Sequence, residues 1–328
     1  MLRGTTQRGG SSLTTPTGVL LMTFGSAQTA DEVPDYLRSV RGGGDADPAV
    51  VAEFQRRYEI VGWSPLVRIT GEQGAALQVA LDEVHGAGRF AVEVGMLHSD
   101  PRIGEAVRAL GRARVDRVIG IVLSPQYSPI IMGGYDRALA AAMTRELPGV
   151  PFTVAGPWHT TPSFVGELAG RVQQALSRFP DPARVPIIFT AHSLPRPVVD
   201  RDRGYIDQLH ETIALVAERA GLTPERWQFA YQSAGHTPEE WLKPDLKDLM
   251  PGLREAGHED VLVVPVQFLA DHLEILYDID VAAREEAEEA GLRFNRIDLP
   301  NTSPVFIRAL AEVVERENEE VLEAGAKA

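Results

Sequence analysis

The 328-residue chain contains no cysteine. This absence excludes disulfide bonds, zinc sites made of thiolates and iron–sulfur clusters held by cysteine. A chain without cysteine also suits the reducing conditions of the cytoplasm, which is where we expect the protein to be located.

Long apolar runs and basic stripes are also missing. No apolar run approaches the roughly 18–20 residues that a membrane span requires, and the segment 1–17, rich in Gly, Ser, Thr and Arg, has no apolar signal core. The net charge is −14, and no basic stripe could follow a phosphate backbone. We therefore expect a disordered tail at 1–17, no membrane span and no nucleic-acid partner.

Hydrophobic residues make up 44% of the chain, and many fall into strand-like runs separated by helical periodicity. The runs are Gly18–Phe24, Phe90–Leu97, Val115–Leu123, Pro151–Val154, Val185–Thr190, Trp227–Tyr231, Val261–Phe268 and Leu292–Ile297. Strands that alternate with helices indicate an α/β fold with parallel sheets covered on both faces. Because the strands divide four and four, the sequence predicts two Rossmann-like lobes with four-stranded sheets, at 18–160 and 161–328. Ligands are expected in a cleft beyond the strand ends, and the last helix is expected to pack back on the first lobe.

The stretch PVQFLADHLEILYDID at 265–280 joins the end of an apolar strand to a group of acids. On an α-helix that turns by about 100° per residue, Asp271, Glu274 and Asp278 lie within roughly 60° of one another, and Glu285 continues the stripe. Apolar side chains cover most other directions. Since buried carboxylates are costly unless they are paired or bind a metal, the stripe is either a solvated surface or a path for a cation, and we favour the path.

His192 follows an apolar strand and precedes a Leu-Pro corner. Its ring could simply be hydrogen-bonded to loop backbone, or it could act as a general base or a metal ligand. Together with Glu274 it could accept protons and guide a divalent metal, a ligand set suited to transient handling of Fe²⁺. No HExxH motif or second histidine at metal spacing is present, which disfavours a stable zinc site.

A second candidate group could bind carboxylates. Arg41 and Arg57 are expected near the cleft, where with Ser64 and Tyr135 they could clamp carboxylates through the planar guanidinium fork. They could equally be solvated surface arginines. Apolar and aromatic residues near the same strand ends could line a flat pocket or belong to the core; these are Met22, Phe24, Trp63, Tyr127 and Ile130–Met132.

Several of these segments together resemble the signature segments of ferrochelatases. They are TAHSLP at 190–195, YQSAGHTPEEWLKPD at 231–245 and the stretch at 265–280, extended by RRYEIVGWSPL at 56–66 and LLMTFGS at 20–26. The similarity runs in order from about residue 18 to residue 315. In detail the chain resembles the short bacterial type that inserts Fe²⁺ into coproporphyrin III.

The resemblance implies two Rossmann-like lobes with a porphyrin in the cleft between them. His192 matches the histidine that receives pyrrole protons and meets the metal, and Glu274 matches the carboxylate opposite it. Asp278 and Glu285 fall on the acidic face that forms an outer metal site in the family. The departure is Phe24, which stands where coproporphyrin enzymes often carry a tyrosine and which cannot ligate iron.

The same resemblance assigns Arg41, Arg57, Ser64 and Tyr135 to the residues that hold the porphyrin propionates, with Phe24 beside the ring. It implies coproporphyrin III and Fe²⁺ as substrates, coproheme as product, and neither an organic cofactor nor an iron–sulfur cluster. A downstream coproheme decarboxylase is a candidate partner, and we expect a monomer.

Three alternatives stay open. The substrate could be protoporphyrin IX. The chain could be another chelatase that loads cobalt or nickel, although such enzymes usually rely on paired histidines and only His192 is evidently well placed. It could also be a non-enzymatic porphyrin or heme carrier, which would need no proton acceptor.

Overall fold

The computed structural model describes residues 15–235 and 238–327, with side chains described as far as residue 320. Most of the expected tail at 1–17 lies outside the described residues. At its end the expectation is wrong by one residue, because Thr17 is already the first residue of strand β1 and pairs with both neighbouring strands.

The strands form two parallel four-stranded sheets, which confirms the predicted fold class. The first sheet has the order β2-β1-β3-β4 and the second β6-β5-β7-β8. The strands are β1 Thr17–Thr23, β2 Phe90–Met96, β3 Arg117–Val122, β4 Phe152–Val154, β5 Ile187–His192, β6 Trp227–Gln232, β7 Asp260–Pro265 and β8 Arg293–Arg296. Each falls within a few residues of a predicted run.

Helices cover both faces of each sheet. They are α1 Val33–Val40, α2 Pro48–Val61, α3 Leu66–His85, α4 Ile103–Arg112, α5 Pro129–Glu146, α6 Pro162–Leu176, α7 Arg196–Val199, α8 Gly204–Ala220, α9 Leu246–Glu255, α10 Arg284–Glu289 and α11 Pro304–Lys327, with a π-helix at Ile275–Ala283 and short 3₁₀ turns at Ala30–Glu32, Pro182–Arg184 and Pro224–Arg226. No helix within the described residues is long and apolar enough to cross a membrane.

The largest apolar core is shared by the two sheets. It contains Leu21 of β1, Ile121 of β3, Phe189 of β5 and Val264 of β7, all fully buried, together with apolar side chains of α3, α6, α8 and α11. Helix α11 packs against both α6 and α3, so it contacts elements on either side of the predicted division. The position of that division near residue 160 stays a prediction.

Helix α5 begins with a serine cap followed by a proline. Ile130–Met132, which the sequence left as either pocket lining or core, form the first turn of this helix, which starts at Pro129. The Ser128 hydroxyl caps this turn by accepting hydrogen bonds from the Ile130 and Ile131 amides, and proline suits the first helical position. Met132 is buried in the core, whereas Ile130 is 44% exposed.

The acidic stretch after β7 is not a continuous α-helix, so the predicted stripe is wrong in its geometry. Asp271 and His272 precede the helix, the π-helix occupies Ile275–Ala283, and α-helical winding resumes only at Arg284. A π-helix forms i→i+5 hydrogen bonds and has wider turns, so the spacing of 100° per residue does not apply.

The alternation of side chains along β5 explains why His192 faces the π-helix. Ile188 belongs to a buried cluster with Ile275 and Ile279 of the π-helix. Since alternate residues of a strand share one face, His192 lies on the same face as Ile188, at the carboxyl end of the strand. The fold therefore brings the histidine and the acidic segment together.

Candidate active site

A backbone carbonyl and a glutamine side chain fix the orientation of His192. Its ring Nδ1 is hydrogen-bonded to the carbonyl oxygen of Ser193, and its amide donates to Gln267 Oε1 at 2.9 Å. A carbonyl can only accept, so Nδ1 carries the proton of the neutral ring and Nε2 presents a lone pair. His192 is thus held in the tautomer that can accept a proton at Nε2.

Glu274 lies opposite that lone pair. Its Oε2 is 3.6 Å from His192 Nε2, and the two side chains are 42% and 26% exposed. Both atoms are acceptors in the neutral state, and they are too far apart for a direct hydrogen bond. The arrangement leaves a place between them where a proton or a cation is attracted from both sides.

A second histidine shares this geometry, and the sequence analysis missed it. His272 Nε2 is 3.9 Å from Glu274 Oε2, and its Nδ1 donates to the Ala270 carbonyl oxygen at 2.8 Å. On an α-helix His272 would point away from the acids, but it precedes the helix and turns toward Glu274. The expectation that only His192 is well placed is therefore wrong.

The two carboxyl groups of the site have pKa values shifted in opposite directions. Desolvation raises the pKa of Glu274, but the nearby rings of His192 and His272, which attract its carboxylate when they are protonated, outweigh it and lower the value to about 2. Burial raises the pKa of Asp278, and Glu274 adds to this while Ser233 and Arg57 oppose it. Such divergence is typical of groups with different roles in proton transfer. Glu274 is the fixed negative charge, and Asp278 is the group that more readily takes a proton.

The other acids of the predicted stripe are not brought to this place. Asp271 pairs with Arg296 at 3.1 Å and accepts from the Asn301 amide at 2.8 Å. Glu285 lies in α10, beyond the π-helix, and is exposed. Of the residues expected in the metal path, the structure brings together His192, Glu274 and Asp278, and it leaves out Glu285.

Arg57 connects α2 to the π-helix. Its Nε donates to Glu53 at 2.8 Å, an Nη lies 3.7 Å from Asp278 Oδ1, and its guanidinium stacks on the Tyr277 ring at 4.8 Å. Arg56 adds a hydrogen bond to the Tyr277 hydroxyl at 2.7 Å. Arg57 therefore lies beside the acidic end of the site, with its charge already shared between two carboxylates.

The remaining members of the predicted carboxylate clamp are more dispersed. Arg41 is exposed at the end of α1, whereas Ser64 and Tyr135 are buried. Burial raises the pKa of Tyr135 far above its usual range, so its hydroxyl stays protonated. Among the described residues, no hydrogen bond or ion pair joins these three side chains to one another or to Arg57.

Phe24 forms an aromatic wall at the end of β1. It is 41% exposed, and its ring lies 4.5 Å from the His98 ring and 6.5 Å from the Tyr36 ring. Burial raises the pKa of Tyr36, and Tyr58 and Glu274 add to the effect. Sequence reasoning overlooked Tyr36 because it lies inside α1 rather than after a strand.

Within the described parts of the chain, no group of three or more His, Asp or Glu side chains could hold a metal ion. A proton acceptor beside an ionised carboxylate can deprotonate a bound molecule and attract a divalent cation in its place.

Comparisons with known proteins identify the family of the chain. The sequence model of the family described as Ferrochelatase matches residues 16–318. The chain belongs to the ferrochelatase family. It is 38% identical to the ferrochelatase of Deinococcus radiodurans over 93% of this chain and 97% of that protein. Identity is 36% with the coproporphyrin III ferrochelatase of Geobacillus kaustophilus, covering 90% and 94% of the two chains, and 34% with that of Bacillus subtilis, covering 90% and 96%.

Solved chelatases have the same fold as this member of the ferrochelatase family. The sirohydrochlorin chelatase SirB from Bacillus subtilis subspecies spizizenii, in complex with cobalt, superimposes with a TM-score of 0.54 at 12% identity over 93% of this chain and 97% of that chain. CbiX, the terminal enzyme of siroheme biosynthesis in denitrifying bacteria, gives 0.51 at 16% identity over 91% and 98%. At such identities the likeness concerns the fold alone.

Membership in the ferrochelatase family makes the protein a lyase that inserts metal into a porphyrin in heme biosynthesis, with a porphyrin and iron as its substrates. The non-enzymatic carrier and the cobalt or nickel chelatase are thereby set aside, although the paired histidines that had been missing from the second alternative are present in the site.

Proposed function

We propose that the protein inserts Fe²⁺ into coproporphyrin III to form coproheme. The observation that carries the chemistry is the position of His192 Nε2 opposite Glu274 Oε2, 3.6 Å apart. The choice of ring is supported by arginines at the site, since guanidinium groups suit propionate carboxylates, and by relatives whose names specify coproporphyrin III.

The proposed reaction exchanges two pyrrole protons for one Fe²⁺, so the net charge of the ring is unchanged. His192 Nε2 accepts the two pyrrole protons one after the other and passes each to solvent, while its Nδ1 proton is retained by the Ser193 carbonyl. Glu274 stabilises the resulting imidazolium and attracts the entering Fe²⁺. Asp278, which lies one helical turn further along the chain, relays the cation to Glu274. A cleft that holds the ring buckled would bring it closer to the transition state.

Arg57 and Arg41 are proposed to hold ring carboxylates, with the hydroxyls of Ser64 and Tyr135 as further donors. Arg57 would exchange its present partner Glu53 for a propionate. Phe24 would contact the face of the ring without ligating iron, which leaves metal handling to the histidine and carboxylates. The absence of an organic cofactor and of an iron–sulfur cluster, a monomeric state, the cytoplasmic location and a downstream coproheme decarboxylase as partner stay predictions.

Protoporphyrin IX is the second candidate ring. Arg41 and Arg57 are the two guanidinium groups of the proposed clamp, and two are enough for a ring with two propionates. The relative from Deinococcus radiodurans is named only as a ferrochelatase.

The deciding experiment measures anaerobic Fe²⁺ insertion into the two rings side by side. We expect a higher kcat/KM for coproporphyrin III, and we expect Arg57→Met to lower it by about tenfold, because a charge-assisted hydrogen bond contributes about 1.5 kcal/mol. Arg68→Met is the control, since among the described residues Arg68 pairs only with Glu72, on the exposed face of α3. Equal rates on both rings, or a preference for protoporphyrin IX, would overturn the choice of ring.

The proton-accepting role has its own test. His192→Ala should still bind porphyrin, as shown by quenching of protein or ring fluorescence, and should lose nearly all iron insertion. Normal metallation by this variant would show that another group accepts the protons.

A further inference from the structure

The π-helix that carries the acidic side of the site is held by an arginine outside the site. We propose that Arg296 is a positioning residue, which keeps the π-helix in its wide winding and thereby sets Glu274 opposite His192. The proposal rests on the family's metal insertion reaction and is independent of which porphyrin is used.

Arg296 lies at the end of β8, and all three nitrogens of its guanidinium group donate hydrogen bonds. Its Nε and one Nη donate to the two carboxylate oxygens of Asp280 at 2.6 and 2.7 Å, and the same Nη donates to Asp271 at 3.1 Å. The other Nη donates to the Ile297 carbonyl oxygen at 2.9 Å. The arginine side chain is only 14% exposed, and the two aspartates are 24% and 25% exposed.

The sequence positions of the two aspartates show which backbone winding allows Arg296 to bind both of them. Asp271 and Asp280 are nine residues apart. On one continuous α-helix they would lie on opposite sides, since nine steps of about 100° amount to two and a half turns. The Arg296 guanidinium binds both aspartates. This contact is compatible with the observed coil and π-helix, and it is incompatible with an α-helix that runs from Asp271 to Asp280.

The near end of the segment is anchored independently. Asn301 and Asp271 exchange two hydrogen bonds, from Asn301 Nδ2 to Asp271 Oδ2 at 2.8 Å and from the Asp271 amide to Asn301 Oδ1 at 2.9 Å. The Asn301 amide in turn donates to the Leu269 carbonyl oxygen at 2.8 Å. Asp271 is therefore fixed to the loop before α11, and Arg296 ties Asp280 to the same point.

Glu274 lies between these two anchors, three residues after Asp271 and six before Asp280. π-Helical winding is uncommon and is maintained by its surroundings. If Arg296 is lost, the two aspartates keep partly buried charges without a common partner, and the segment can rewind. Rewinding rotates Glu274 relative to the anchored Asp271, and hence away from His192 Nε2.

Arg296→Gln tests the proposal, and Arg293→Gln is its matched control. Arg293 lies on the same strand and also binds an aspartate through two hydrogen bonds, at 2.8 and 2.7 Å to Asp260. It is 67% exposed, and its partners Asp260 and Glu259 are not in the π-helix. Both variants remove one arginine–aspartate fork from β8, and only one of them touches the segment that carries Glu274.

The experiment measures kcat/KM for Fe²⁺ and the Kd for porphyrin separately. It uses whichever of the two rings the wild-type enzyme metallates faster. For Arg296→Gln we expect kcat/KM for Fe²⁺ to fall at least tenfold, while the Kd for porphyrin stays within about twofold of wild type. Arg293→Gln should change neither. Arg296→Lys, which keeps the charge but loses the fork, should fall between Arg296→Gln and wild type.

A purely structural role for Arg296 predicts something different. In that case Arg296→Gln would lower the melting temperature but leave the iron and porphyrin constants of the folded enzyme unchanged, and this result would overturn the proposal. A uniform loss of iron and porphyrin binding would overturn it too. Should Arg296→Gln fail to fold, Asp280→Asn removes the same tie from the other side and must show the same selective loss for iron; normal iron kinetics in that variant count against the proposal.

Discussion

Replacing Glu274 with glutamine removes the negative charge that faces His192 and nearly preserves the shape of the side chain. In the proposed reaction His192 becomes an imidazolium 3.6 Å from Glu274 Oε2. Two unit charges at that distance attract one another by about 5 kcal/mol at an effective dielectric constant of roughly 20, and by about 1 kcal/mol in bulk water. Because the two side chains are 26% and 42% exposed, we expect an intermediate loss of about 2 kcal/mol, which lowers kcat roughly thirtyfold.

The assay follows porphyrin fluorescence as Fe²⁺ is inserted under anaerobic conditions, with both substrates varied so that kcat and the two KM values are separated. Glu211→Gln serves as the control, because it removes the carboxylate of another histidine–glutamate pair, with Glu211 Oε2 at 2.9 Å from His159 Nε2. A kcat for Glu274→Gln within threefold of wild type would refute the electrostatic reasoning, as would an equal loss in the control.

The remaining predictions concern stability. The pKa of Glu274 is lowered from 4.5 to about 2, so the ionised carboxylate stabilises the folded protein above pH 4.5 and this contribution is lost as the pH falls toward 2. The shift corresponds to about 3 kcal/mol without screening and to roughly 1 kcal/mol for a group this exposed. Urea denaturation across that pH range should therefore show that wild type loses about 1 kcal/mol more unfolding free energy than Glu274→Gln. Identical pH dependence of the two proteins would contradict the assigned pKa. Gly25→Ala should destabilise the protein by about 3 kcal/mol, because a left-handed backbone and a clash act together: φ is +94° and a Cβ would lie 2.4 Å from Ser99 Oγ. Gly62→Ala shares the left-handed φ, at +72°, but meets nothing within 4 Å, so thermal denaturation should show a loss of only about 1 kcal/mol; similar losses in the two variants would disprove the role of the contact with Ser99.

Much of the fold follows from local patterns in the chain. The apolar runs predicted both parallel sheets, and the rule that ligands bind beyond strand ends singled out His192, which is the last residue of β5. Glu274 was found because a carboxylate among apolar residues needs a partner. These inferences depend on strand alternation and on burial, and both patterns can be recognised within a few residues of sequence.

The π-helix was beyond such reasoning, because it depends on partners that are distant in sequence. Periodicity assumes one winding, so it assigned Asp271 and Glu285 to the site and turned His272 away from it. Asp271 is instead held by Arg296 and Asn301, from the segment that follows α10. A tertiary contact thus decides which acids of one stretch lie beside His192.

The apolar core that continues from one sheet to the other has a consequence for substrate choice. Domains that swing apart usually meet across a modest, fairly polar interface, whereas here Leu21, Ile121, Phe189 and Val264 lie in one buried cluster. Prising the halves open would expose that interior to water, at a cost that grows with the apolar area uncovered. We therefore expect the two halves to keep a nearly constant separation when a porphyrin binds, so that the side chains around the ring, rather than a closing motion, decide which ring is accepted.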